Sequence, residues 1–452
     1  MIYVLLFLLI ELLLFFYFLF DRNILSPSVI ATGMFAISSY VASLYMHKWH
    51  ATISMHTILI ITTSLLAMGV GEFIVHCMQY KRIQSTPFTK IEKSPISVKR
   101  KYVVFFLFFS LILLFIYYKD TVRIATEAGY KKGGSVLMLW SARVATINED
   151  GKFSGRSRFA KYSFTVIKNF AYLFSYIYLY NRIYFRKKSF ICLLPIFMFV
   201  PFIILSTGRT EFIYLIAFLT VIGSIFFMQC HNWNPMYTFK IIRIGFIGFL
   251  CFLLLFIFVG ALKSSTIISK AGDTLAFYSG LSIPSLDYYF EHQPYPRGEL
   301  FGEHTLFGIY GILHRMFPDT IPSLFIPAEM VNFYHVRGNV YTALRRYHQD
   351  FGYLGLYLIM FFIGFLYSFL FLKVNRTAKR HGLLFYGLIL PPLVEMSIEE
   401  RFFMLIVSYQ ALQNFVISWL LFRFFIDRHI DDAKLYRLLF QFKSGNESWG
   451  QQ

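Results

Sequence analysis

Charge is scarce in this chain. Asp, Glu, Lys and Arg make up 15% of its 452 residues, against roughly 25% in soluble domains. That excludes a soluble globular protein. Cysteine is scarcer still. Cys77, Cys192, Cys230 and Cys251 lie in or near apolar segments, and no CxxC pair occurs. Neither a disulfide framework nor a cysteine zinc site is therefore expected. HExxH, DxD and His/carboxylate clusters are missing from the sequence, so no metal and no cofactor is expected. Internal repeats and low-complexity linkers are lacking too. Residues 2–20 have no basic start and no small-residue cleavage site, so they do not read as a removable signal.

What the chain has is hydrocarbon. Hydrophobic residues account for 57% and aromatic residues for 20%. They fall in blocks about as long as a helix needs to cross a ~30 Å apolar core. A membrane-crossing segment must satisfy its own backbone hydrogen bonds, and these blocks are too long and too apolar for barrel strands. The expected fold is an all-α polytopic membrane protein. Eleven spans (within a range of 10–12) are read at 2–20, 25–46, 53–76, 102–119, 164–184, 189–206, 211–229, 243–262, 352–372, 382–396 and 402–425. The tenth carries Pro391, Pro392 and Glu395. Glu11 in the first is expected to look into the bundle, because a carboxylate is costly against lipid.

Lysine and arginine in the short loops set the orientation. The segments 79–101, 182–188 and 373–380 are rich in them and fall on one side if eleven spans are right. That side is read as cytoplasmic. The chain then divides into 1–262, spans one to eight with an external loop at 120–163; 263–351, a large external loop domain; 352–425, the last three spans; and 426–452, a cytoplasmic tail. The net charge of +19 reflects this bias and an attraction to anionic lipid heads. The basic residues are scattered over loops, which argues against nucleic acid as a partner.

Within the long loop, the Tyr/Pro-rich stretch 278–298 reads as irregular. Residues 303–317 read as a helix along the membrane surface, with a narrow stripe of His304, Gly308, Gly311 and Arg315. Residues 338–351 read as a second helix running straight into span nine, with a polar stripe of Asn339, Thr342, Arg346 and Gln349.

Chemistry gathers at the external mouths of spans. Arg209 sits in a very tight turn between spans six and seven, where Glu211 is a candidate partner. Arg345, Arg346 and Asp350 stand at the mouth of span nine, and Glu399, Glu400 and Arg401 fill the turn between spans ten and eleven. A guanidinium forks donors at a fixed angle suited to phosphate. Each arginine taken alone also fits an interfacial anchor; together they read as a shared site for a lipid-borne diphosphate. His292, His304, His314, His335 and His348 are candidate proton carriers, because imidazole titrates near neutral pH. A solvated or packing role fits each of them as well, and Asp287, Glu291, Glu303 and Asp350 compete for the catalytic one. Arg315, Arg337, Asn339 and Tyr341 are candidates for holding substrate.

Two of these segments carry a family likeness. Ser206-Thr207-Gly208-Arg209-Thr210, ending one span and opening the next, resembles the small-residue/Arg turn of Wzy-type O-antigen and capsule repeat-unit polymerases. The run from Gly338 to Gly352, GNVYTALRRYHQDFG, resembles that family still more. The likeness extends loosely over the chain, including the large loop before the last three spans. It implies a GT-C-like helical glycosyltransferase whose active site lies under an external loop domain, in the bacterial cytoplasmic membrane. The implied substrates are oligosaccharide units on undecaprenyl diphosphate, polymerised at the outer face. Membrane lipids, a chain-length regulator and a flippase are the other implied partners. On this pattern Arg209, Arg345, Arg346 and Arg401 would hold the diphosphate, and His304, His348 or Asp350 would take the acceptor's proton. An O-antigen ligase would share the donor and differ in acceptor. A lipid-linked oligosaccharide flippase would place its charges in mid-bundle, and a non-enzymatic assembly protein would use the arginines only as anchors.

Overall fold

A computed structural model of the chain describes residues 1–85, 94–131, 133–147, 155–208, 210–261, 271–292, 298–324, 329–334, 336–376 and 380–427. These residues are overwhelmingly helical. Their one sheet is a two-stranded hairpin, β1 (Val331–Phe333) with β2 (Val336–Gly338). Six helices among them are long and apolar enough to cross a membrane: Ile2–Leu19, Pro27–Trp49, Met55–Met78, Arg100–Glu127, Thr210–Cys230 and Ala343–Val374.

The helices follow in the order α1 (Ile2–Leu19), α2 (Pro27–Trp49), α3 (Met55–Ser85), α4 (Arg100–Glu127), α5 (Ser135–Ile147), α6 (Arg158–Phe185), α7 (Leu194–Ser206), α8 (Thr210–Cys230) and α9 (Thr238–Ala261). Then come α10 (Ala271–Gly280), α11 (Ser282–His292), α12 (Phe307–Met316), α13 (Ala343–Arg376), α14 (Arg380–Ile389), α15 (Pro391–Glu395) and α16 (Tyr409–Phe422). Helices thus occupy the positions of the other expected spans as well. The last two are broken. Pro391 and Pro392, which lack N–H donors, end α14 and start the short α15. A wide-turned segment, Phe402–Ile406, precedes α16.

Four local expectations change. Glu11 faces outward, because the buried stripe of α1 is Leu5, Leu9, Leu12 and Phe16, and position 11 lies off that stripe at 3.6 residues per turn. The stretch 278–298 is not irregular at its start: α11 runs through Tyr288 and Tyr289 with Pro284 in its first turn, where proline is tolerated. The helix expected over 303–317 begins only at Phe307, after turns through residues 301–305. And α13 does not run straight: Gly352 takes φ 64°, ψ −167° and turns the chain between the segment ending at Phe351 and the long apolar run. That conformation is essentially reserved for glycine.

The core is built on close backbone packing. A Cβ on Gly71 of α3 would lie 2.1 Å from the Phe361 carbonyl oxygen, and one on Gly364 of α13 would lie 2.0 Å from that of Met68. Small residues let membrane helices approach this closely. Tyr353 meets His56, and Tyr357 meets Thr63, so α3 and α13 run parallel. At their far end Asn181 of α6 exchanges both amide hydrogen bonds with Ile96 at 2.8 Å. The basic segments near 99–101 and 182–188 therefore lie at one end of the bundle. Phe371 packs on Trp233, which brings the end of α13 to the end of α8.

Candidate functional site

At the opposite end the turn 396–401 acts as a hub. The Met396 carbonyl accepts from the Ala343 N–H at 3.0 Å. The Ser397 carbonyl accepts from Ser282 Oγ at 2.6 Å, and Ser397 Oγ accepts from Ser38 Oγ at 2.9 Å. One short turn thereby ties α2, α11 and α13 together. On its α8 side Tyr214 donates to Glu395 Oε2 at 2.8 Å. Arg401 approaches the same oxygen at 3.8 Å and pairs with Glu399 at 2.6 Å. Lys168 pairs with Glu211 at 2.8 Å and lies over the Tyr214 ring. Glu211, read from sequence as a candidate partner of Arg209, is thus held by Lys168. Arg209 itself lies outside the described residues, but its neighbours on α8 are wired to Glu395 and so to Arg401.

On the α13 side Glu400 accepts from Tyr347 Oη at 3.3 Å and from the Phe403 N–H at 2.8 Å. Burial pushes the Glu400 carboxyl up to about 7, and the Arg346 guanidinium opposes that rise. Arg346 and Arg401 therefore serve one acidic turn from two directions.

The second half of the site is built on the first turns of α13. Asp350 Oδ2 accepts from the Thr305 N–H at 2.6 Å, and Oδ1 accepts from the His304 N–H at 3.4 Å. Thr305 Oγ1 donates to the Arg346 carbonyl at 3.1 Å. Gly302, at φ 67°, lets this loop lie against Phe351; a Cβ there would come within 2.7 Å of the ring. The loop so held presents His304 with Nδ1 3.2 Å from Asp350 Oδ1. Nε2 faces Gln349 Nε2 at 3.2 Å. An amide nitrogen only donates, so Nε2 is the acceptor and Nδ1 carries the proton. Asp350 lies at ion-pair distance from Nδ1, where it can stabilise a positive charge on the ring.

Beside it, Glu329 places Oε1 3.7 Å from His304 Nε2 and pairs through Oε2 with Arg345. Arg345 is 4% exposed and stacks over the Tyr341 ring, 4.3 Å from its centroid. Two carboxylates thus flank one imidazole, and one guanidinium neutralises the second carboxylate.

The sequence candidates sort as follows. His304, Asp350 and Arg345 come together, with Arg346 one residue along. His348 turns the other way: it meets Tyr289 Oη at 3.2 Å and packs on Phe290 and Tyr353. Tyr341 is buried beneath Arg345, whereas Arg337 and Asn339 are exposed at the hairpin. Arg315 is exposed and stacks on Tyr409 at 4.1 Å. Its helix, α12, packs on the chain as well as facing outward: a Cβ on Gly308 would lie 2.3 Å from the Val407 carbonyl oxygen.

Sequence reasoning missed Glu329 and Tyr214. Glu329 is a single carboxylate in an apolar stretch, and Tyr214 reads as one more aromatic residue of a span. No local pattern marks either. Among the described residues no group of three or more His, Cys, Asp or Glu is placed to hold a metal. No family model, no curated protein and no solved structure matches the chain.

Proposed function

We propose that this chain is a GT-C-like membrane glycosyltransferase of eleven spans, joining undecaprenyl-diphosphate-linked oligosaccharide units into O-antigen, capsular or exopolysaccharide chains. The reading places it in the bacterial cytoplasmic membrane with the hub turn at the outer face. One observation carries it: a histidine paired with a carboxylate, His304 with Asp350, shares Glu329 with Arg345 at the end of the bundle where Arg401 joins the hub turn and Arg346 acts on Glu400.

The chemistry asks for those parts and little else. The glycosidic C–O bond to the donor diphosphate breaks, and the lipid diphosphate leaves with the bonding pair. The acceptor hydroxyl of the next unit forms the new C–O bond and gives its proton to His304 Nε2. Asp350 holds the imidazole in the accepting tautomer and stabilises the imidazolium. Arg345, Arg346 and Arg401, with Arg209 by the family likeness, stabilise the charge on the departing diphosphate. Diphosphate is already a good leaving group, so positioning two lipid-tethered reactants is the larger task.

The test is the purified full chain in liposomes with a lipid-diphosphate repeat unit, without metal or nucleotide sugar. A ladder of long glycans is expected, and Arg209→Ala should abolish it while the protein still inserts. No transfer by the wild-type chain would overturn the reading. Transfer only to a separate lipid-anchored acceptor would make the protein a ligase.

A further inference from the structure

Among the described residues, three cations at this end of the bundle are held by carboxylates. Arg345 has Glu329, Arg401 has Glu399 and Glu395, and Lys168 has Glu211. A diphosphate arriving there must compete with a carboxylate. At Arg345 that competition has a consequence for His304, because the carboxylate it would displace is the one 3.7 Å from Nε2.

We propose that Glu329 is an exchangeable counter-ion: the donor diphosphate takes Arg345 from Glu329, and the released carboxylate turns its charge onto His304 Nε2. This rests on the diphosphate-transfer reading above and deepens it by coupling donor binding to the base.

The sign of each charge supports the arrangement. A carboxylate beside a ring nitrogen stabilises the imidazolium fully only when no cation neutralises that carboxylate. In the resting site Asp350 faces Nδ1, and Arg345 neutralises Glu329. Gln349, neutral, lies between Glu329 Oε1 at 3.5 Å and His304 Nε2 at 3.2 Å. Arg346, from the same turn of α13, acts on Glu400. Once Arg345 has moved to the diphosphate, Glu329 is uncompensated, and an uncompensated buried charge is costly. Proton transfer from the acceptor hydroxyl to Nε2 relieves it by forming an imidazolium between two carboxylates. The base gains strength only when there is a leaving group to expel.

Glu329 lies immediately before the β1–β2 hairpin, whose Gly338 is seated against Phe277 and Leu281 with no room for a Cβ. The hairpin holds the chain on the C-terminal side of Glu329, so exchange asks for a rearrangement of its side chain.

The experiment titrates the detergent-solubilised full chain with inorganic diphosphate in the absence of metal. Glu329→Gln should bind it about tenfold more tightly than wild type, because the competing anion is gone. Arg345→Gln added to that variant should remove the gain. In the glycan-transfer assay Glu329→Gln should lower kcat about tenfold or more while lowering KM for the lipid-diphosphate unit, a split that misfolding does not produce. A second measurement needs no variant: with histidine labelled for NMR, saturating diphosphate should raise the His304 pKa in the wild-type chain. Diphosphate bound no more tightly by Glu329→Gln, a gain that survives loss of Arg345, or an unmoved His304 pKa would each overturn the exchange. Failure of the wild-type chain to transfer glycan would instead remove the polymerase reading, and the diphosphate titration would still decide whether Glu329 exchanges.

Discussion

His304 Nδ1 lies 3.2 Å from Asp350 Oδ1, and the other oxygen of that carboxylate holds the Thr305 N–H at 2.6 Å. One side chain therefore holds the loop that carries the histidine and lies beside the histidine's ring. Asp350→Asn separates the two roles. The amide oxygen can still accept from Thr305, but its NH2 cannot accept from Nδ1–H and favours the wrong tautomer. We expect glycan transfer to fall by about 10²–10⁴-fold with the fold retained. His304→Ala should fall as far or further. Initial rates of ladder formation, alongside thermal midpoints in detergent, check both.

Arg401 distinguishes a diphosphate grip from an anchor. Its guanidinium reaches Glu399 and Glu395 at once. Lysine keeps the charge but cannot fork. As part of an anion site, Arg401→Lys should cost about 10²-fold in transfer rate, comparable to loss of one transition-state donor. As an interfacial anchor, it should transfer at the wild-type rate. Rates measured at saturating lipid-linked unit tell these apart.

Glu400 predicts a pH dependence of stability. Its folded value, pushed up by burial to about 7, exceeds the ordinary carboxyl value of 4.5. The folded chain therefore holds this proton more tightly than the unfolded chain does. The resulting stabilisation is whole below pH ~4.5 and is lost as pH rises through ~7, for a total on the order of 3 kcal/mol. Glu400→Gln mimics the protonated acid and can still accept from Tyr347 and the Phe403 N–H. The wild-type thermal midpoint should drop between pH 5 and pH 8 more than that of Glu400→Gln. Parallel curves for the two proteins would show that Glu400 does not titrate in this range.

The sequence made the membrane-length helices legible because long apolar blocks have one stable form in lipid. It offered His304 and Asp350 only as rivals for one proton-accepting role and gave no sign that the two meet. It did not distinguish His304 from His348. Both are loop-proximal histidines, and only the turn before α12 and the set of α13 decide which one meets a carboxylate. The hub turn was visible as three charged residues, Glu399, Glu400 and Arg401. Its tie to α8 was not, because that tie runs through the hydroxyl of Tyr214. Glu329 was silent for the same reason: its meaning is a long-range pairing with Arg345, sixteen positions later and around a hairpin. Gly352 read as part of a helix, and only its positive φ shows that the chain turns there.

The site's geometry depends finally on how deeply α13 sits against α3, since α13 carries Arg345, Arg346, Gln349 and Asp350. Gly71 is the sharpest test. An alanine methyl there would meet backbone, the Phe361 carbonyl at 2.1 Å, and backbone cannot swing aside as a side chain can. The two helices must separate, so Gly71→Ala should destabilise the chain by roughly 1–3 kcal/mol, the range for overpacking. Gly245, on α9, has nothing within 4 Å of the added methyl. Alanine there should be neutral or stabilising, because it improves helix propensity at no steric cost. Thermal midpoints of the two variants in one detergent give the comparison. If separation propagates along α13, Gly71→Ala should also slow glycan transfer although it lies far from His304, and Gly245→Ala should leave the rate alone. Equal midpoints for the two variants would mean that α3 and α13 do not pack backbone to backbone.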